Sequence, residues 1–185
     1  MISLRPILSA IALSASLLGG LLAGVPAQAA AVALSPPAER IEISHMTGRW
    51  YEVARLPNKT QRGCQGGTSD WIKADDGFSV IQTCHKGSLA APPTEWKAQA
   101  KVIDPKTNAR FKMSFFGGLV SQEYWVLDNR SDQGWLILGT PGGRYMWLMS
   151  QRPNLAAAAK SQAIARIKQL GYDVASLEFP QPARN

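Results

Sequence analysis

Two cysteines and two histidines are the residues of this chain best suited to covalent or metal chemistry, and their spacing limits what they can do. Cys64 and Cys84 form no C-x-x-C pair, and no Cys/His cluster has the spacing of a zinc site. As a nucleophile either thiol would have to be reduced and ionised. His45 and His85 are far apart and read as surface or strand-end residues. A lone histidine facing a pocket can hold haem iron, but nothing around either one calls for it. No G-x-S-x-G elbow, H-E-x-x-H helix or G-x-x-x-x-G-K-[ST] loop occurs. The residues therefore lead to no catalytic assignment, no metal and no cofactor. The chain reads as a binding protein and not as an enzyme.

The compartment explains the cysteines. Arg5 precedes an apolar run over residues 7–22, followed by small residues and Ala27-Gln28-Ala29, the order of a secretory signal peptide. Residues 1–29 are read as that signal, and 30–40 as a flexible segment ahead of one domain over 41–180. The apolar run is interrupted by Ser14, Ser16, Gly19 and Gly20 and soon followed by Pro26, which argues against a retained membrane helix. No cysteine lies near the cleavage site to carry an acyl anchor. The expected location is periplasmic or secreted, where a disulfide between Cys64 and Cys84 can form and persist. The formal charge of +7 falls to +6 without Arg5. These cations are scattered, so no nucleic-acid partner is expected, while a membrane surface is a candidate peripheral contact.

What must position any site is a set of short strands. Period-two runs occupy 50–56, 68–72, 78–83, 95–103, 110–116, 122–127, 135–139 and 145–151, separated by turn residues. Trp96, Ala98, Ala100 and Val102 alternate with Glu95, Lys97, Gln99 and Lys101. Phe111, Met113 and Phe115 alternate with Arg110, Lys112 and Ser114. Such strands have one dry and one wet face. The last two runs are apolar on both faces and need an outer cover. An amphipathic helix over about 155–170 supplies it, with Asn154 as cap, Gly171 as stop and Ala163, Ile164, Ile167 and Leu170 as its apolar stripe. Eight regularly spaced strands and one helix predict an all-β domain, an eight-stranded antiparallel up-and-down β-barrel, with a sandwich as the rival from pattern alone. Cys64 and Cys84 lie almost symmetrically about the Lys73–Asp76 turn, at the open end of one hairpin, with Gly66-Gly67 available for a bulge.

Several motifs then fall in a familiar order. Gly48-Arg49-Trp50-Tyr51-Glu52-Val53-Ala54-Arg55 resembles the G-x-W-Y-E-x-A-R opening of bacterial lipocalins and their apolipoprotein D relatives. Ser114-Phe115-Phe116-Gly117, Leu127-Asp128, residues 145–150 with Arg152 and Pro153, and Gly171-Tyr172-Asp173-Val174 are similar in the same order. This resemblance to outer membrane lipocalins implies a calyx open at one end. It also implies a closed end built around Gly48, Trp50 and Asp128, with Arg152 lying across the Trp50 ring. Familiar bacterial lipocalins carry an N-terminal lipid-anchoring cysteine that this chain lacks. The motif places Glu52 near the barrel interior, as a structural carboxylate or, in an alternative reading, the acid/base of an enzyme acting on a lipid or isoprenoid.

The barrel reading gives a pocket. Alternation turns Trp96, Ala98, Phe111, Met113 and Phe115 inward. Trp71, Val80, Gln82, Gln122, Tyr124 and Val126 join them if the register holds, and Met146 and Leu148 follow from their parity with Arg152. Small Ala98 and Ala100 beside large aromatics are expected to leave room. The expected partner is a small hydrophobic ligand, a fatty acid or lysophospholipid, held for storage or transport in the cell envelope. Gln82, Gln122 and Tyr124 could hydrogen-bond its polar end. The sequence leaves the oligomeric state open.

Overall fold

The computed structural model describes residues 34–182; the stretch read as a signal, 1–29, lies outside the described residues. Eight strands follow one another: β1 (Gly48–Arg55), β2 (Cys64–Ala74), β3 (Gly77–Lys86), β4 (Thr94–Val102), β5 (Arg110–Phe115), β6 (Val120–Arg130), β7 (Trp135–Gly139) and β8 (Met146–Ser150). Each pairs antiparallel with the next, and β8 returns to β1, closing a barrel. Closure rules out the sandwich and leaves no strand edge unpaired. Because the strands run up and down, the connections fall into two sets. Residues 56–63, 87–93, 116–119 and 140–145 rim one end, and the β2–β3, β4–β5 and β6–β7 turns rim the other.

The second end is shut by side chains. A single 3-10 turn, Ile43–Met46, precedes β1, and the Trp50 indole N–H donates to the Met46 carbonyl at 3.0 Å. Residue 41 is tied to the β4–β5 connection, its N–H donating to Thr107 O at 2.8 Å. Above this turn Trp71, Phe78 and Phe111 meet edge-on, with centroids 5.4–6.2 Å apart. Ala98 and Ala100 are buried in the same cluster, Ala100 opposite Phe78 on the neighbouring strand. The small residues expected to leave a void accept these rings instead.

Helix α1 (Ala157–Gln169) lies on the barrel wall. Its buried Ala163 and Ile167 pack with Trp135, Ile137, Met146 and Leu148. The helix begins later than expected. Its N-cap position is Ala156, with no side-chain cap, because residues 151–154 form bends while Leu155 packs into the cluster beneath the helix. At the other end Gly171 N–H reaches Lys168 O and Tyr172 N–H reaches Ile167 O, the paired bonds that terminate a helix at glycine. Cys64 and Cys84 are bonded, Cα atoms 5.6 Å apart. The bulge that brings them together lies between Cys64 and Gly66, one position before the glycine pair suggested by sequence.

Candidate ligand-binding site

At the open end the barrel keeps a hollow of about 290 Å³, near the lower edge of the roughly 300–1,000 Å³ range of ligand pockets. Seven residues expected from alternation line it: Trp71, Gln82, Trp96, Met113, Phe115, Gln122 and Tyr124. Val80, Ala98, Phe111 and Val126 also face the interior, but lower, in the cluster that forms the floor. The hollow therefore stops about halfway down the barrel.

Met146 and Leu148 are a correction. Both are fully buried outside the barrel, against Ala163 and Ile167 of α1, whereas Trp147 and Met149 line the hollow. Alternation could not decide this strand, because its two faces are equally apolar and a one-residue slip exchanges them. Counting parity back from Arg152 failed because the chain bends after Ser150. The deciding feature is polar: the Trp147 indole N–H needs an acceptor once buried, and finds Gln61 Oε1 at 2.8 Å.

The second correction concerns Arg152. Its side chain is exposed, and the cation–ring contacts among the described residues are Arg110 with Trp125, Arg144 with Tyr145 and Lys160 with Phe179. Trp50 is instead covered by the turn whose Met46 carbonyl accepts its indole N–H. Asp128 is buried near the end of β6. It accepts a 2.7 Å bond from Arg166 of α1 and lies 3.1 Å from Arg130, so it fastens the helix to the barrel. Gly48 opens β1 opposite Trp71.

A polar chain runs up one wall, and sequence reasoning found only one of its members. The Glu52 carboxylate is buried, accepting 2.6 Å from Arg55 on one oxygen and a bond from the Gln61 amide on the other. Arg55 extends the chain to Glu178, 2.7 Å away, and to the Cys64 carbonyl. Gly67 makes this possible: a Cβ there would stand 3.0 Å from Thr83 O and 3.2 Å from Glu52 Oε2. Burial pushes the Glu52 pKa up, against the opposing pull of Arg55 and Gln61. Gln61 belongs to the β1–β2 loop, where no alternation exists to mark it. Its loop is folded by Asn58, which accepts from Gln61 N–H and donates to Gln61 Oε1.

An aromatic wall adjoins it, since β8, which carries Trp147, pairs with β1. Tyr124, Trp147 and Tyr145 form a ladder with centroids 5.6 and 5.9 Å apart, and burial pushes the Tyr124 pKa up to about 12. Tyr124 therefore stays a neutral hydroxyl near pH 7. Thr68 and Thr83 hydroxyls bond across the hairpin at 2.8 Å, adding polar lining. Among the described residues no three His, Cys, Asp or Glu side chains gather in a metal-binding group. A larger hollow of about 620 Å³ lies outside the barrel, between residues 34–42 and the end of α1. Its lining includes Glu39, Arg40, Asp128 and Arg166, which suits water more than an apolar molecule.

An eight-stranded barrel with a plugged floor, an open mouth and an apolar hollow beneath the mouth is a calyx, a container for one small molecule. The family model described as a lipocalin-like domain matches residues 41–182, and the chain belongs to the lipocalin family. Barrels of this family bind small hydrophobic ligands. The chain is 28% identical over 150 residues to the outer membrane lipoprotein Blc of Vibrio cholerae, covering 78% of this chain and 85% of that protein. It is 30% identical over 133 residues to the protein of the same name from Citrobacter freundii, covering 70% and 73%. Among solved structures, insecticyanin from the tobacco hornworm Manduca sexta superposes with a TM-score of 0.65 at 16% identity, covering 79% and 83%. That likeness concerns the fold.

Proposed function

We propose that this lipocalin binds an acyl lipid, a fatty acid or lysophospholipid, and stores or carries it in the cell envelope. The observation that carries the reading is the hollow itself. Trp71, Trp96, Met113, Phe115 and Trp147 line it, and Gln82 and Gln122 stand across from Trp96 and Met113 on the neighbouring strands. Burying about eight methylenes contributes roughly 6 kcal/mol before association costs. Gln82, Gln122 and Tyr124 are the groups we assign to the ligand's polar end. The outer membrane lipoproteins among the relatives support an envelope setting, and residues 1–29 are assigned as the export signal.

Glu52 is assigned a structural role, because both its oxygens are already engaged by Arg55 and Gln61. Turnover of a lysolipid that disappears in Glu52→Gln with folding intact would overturn that assignment. The reading is tested by native mass spectrometry of the purified protein and by titration with a fluorescent fatty acid. Co-purified lipid and saturable, displaceable binding are expected. An empty barrel that binds no acyl probe would contradict the proposal.

A further inference from the structure

The rim of the open end has a composition unlike the rest of the surface. Its four connections, residues 56–63, 87–93, 116–119 and 140–145, contain no Asp or Glu, while Lys59, Arg62 and Arg144 lie within them and Lys86 borders one. All four cations are exposed. Among the described residues the neighbouring carboxylates are Glu95, near the start of β4, and Glu52 and Glu178, both paired with Arg55.

In the same rim Phe116, Leu119 and Val120 are 63%, 88% and 53% exposed. Exposed apolar side chains scattered singly need no explanation, but a cluster does. Phe116 holds a left-handed backbone, φ 52°, a conformation uncommon for a bulky residue and unrewarded here by burial. The patch is also continuous with the hollow. Phe116 and Val120 both line it, and the Phe115 and Phe116 rings lie 6.4 Å apart. An apolar path thus leads from outside the barrel to its interior.

We propose that this rim docks on an anionic phospholipid bilayer. Phe116 and Leu119 enter the boundary between headgroups and acyl chains, and Lys59, Arg62, Lys86 and Arg144 pair with lipid phosphates. Charge complementarity selects this occupant: cations ringing an apolar tip match a surface that is anionic outside and apolar beneath. The docked barrel faces the membrane mouth-first, so an acyl chain passes between bilayer and hollow along Phe116 without crossing water. The purpose of the dock rests on the acyl-binding reading above; the dock itself does not.

Flotation of the full-length protein with vesicles tests this, using phosphatidylglycerol mixed with phosphatidylcholine against phosphatidylcholine alone. Binding to the anionic vesicles only is expected. Arg144→Gln and Lys59→Gln should each weaken it about fivefold, and the pair Phe116→Ser with Leu119→Ser should weaken it about tenfold or more. Lys73→Gln, exposed near the end of β2 away from the mouth, should leave it unchanged. Lys59→Gln, Arg144→Gln and a single Leu119→Ser, none of them in the lining of the hollow, should bind a monomeric fluorescent fatty acid in vesicle-free buffer as the unaltered protein does. Vesicle binding that ignores lipid charge or the rim variants overturns the dock. So does a concentration-dependent dimer that Leu119→Ser abolishes while vesicle binding stays the same. Lost flotation with intact fatty-acid binding fells only the dock, and the converse fells only the acyl reading.

Discussion

Glu52 is an acid taken out of water on the wall of an apolar hollow, and the side chains that pay for this are identifiable. Arg55 neutralises it at 2.6 Å, Gln61 caps its second oxygen, and Gly67 yields the space a side chain would need. Removing one partner of a buried pair strands the other charge, so Arg55→Met should cost about 3 kcal/mol at pH 7 in urea unfolding. The pH dependence has a definite sign. An acid whose folded pKa is raised binds its proton more readily in the fold. Its contribution is full below the unfolded carboxylate value of about 4.3 and is lost as pH rises through the folded value. Burial raises Glu52, and removing Arg55 should raise it further. The loss caused by Arg55→Met should therefore shrink at acid pH, and a loss that grows on acidification would contradict the assignment. Sequence marked Glu52 only through its motif. Gln61 carried no mark, because its position depends on how an eight-residue loop folds back over the barrel wall.

Strands were legible where one face is wet. On β4 and β5 the alternation of Trp96 and Ala98 with Lys97, and of Phe111 and Met113 with Lys112, places each side chain on the face it occupies. On β8 both faces are dry, one under α1 and the other on the hollow, so hydrophobicity held no orientation signal and Met146 and Leu148 were turned the wrong way. The helix itself was legible through its stripe, though not its start, since packing of Leu155 overrides the local capping preference of Asn154. Ile167 is fully buried between α1 and the wall, so Ile167→Ala should cost about 3 kcal/mol by thermal or chemical unfolding. The Cys64–Cys84 bond closes the β2–β3 hairpin near the mouth. Replacing both by alanine should lower stability by about 3 kcal/mol in the chain-entropy account, read from the urea midpoint. Retained stability would show that the hairpin is already ordered without the bond.

At the scale of the whole barrel, one part is packed with side chains and the other encloses the hollow, and that division gives it a use. Sequence conveyed the barrel because regular strand spacing and an ordered set of motifs span the domain. It did not convey the depth of the hollow, since whether Ala98 and Ala100 leave space depends on Trp71, Phe78 and Phe111 from three different strands. Gln122 stands on β6 with its side chain half-buried in the lining, so a larger residue there should occupy the hollow from the mouth side with little disturbance to the floor. The central claim is most directly tested by titrating a fluorescent fatty acid into the unaltered protein and into Gln122→Trp, with unfolding curves recorded for both. The account predicts one saturable site in the former, displaced by unlabelled fatty acid, and about tenfold or greater weakening in the latter at similar stability. Equal binding by both proteins, or uptake that never saturates, would place the ligand somewhere other than the barrel interior.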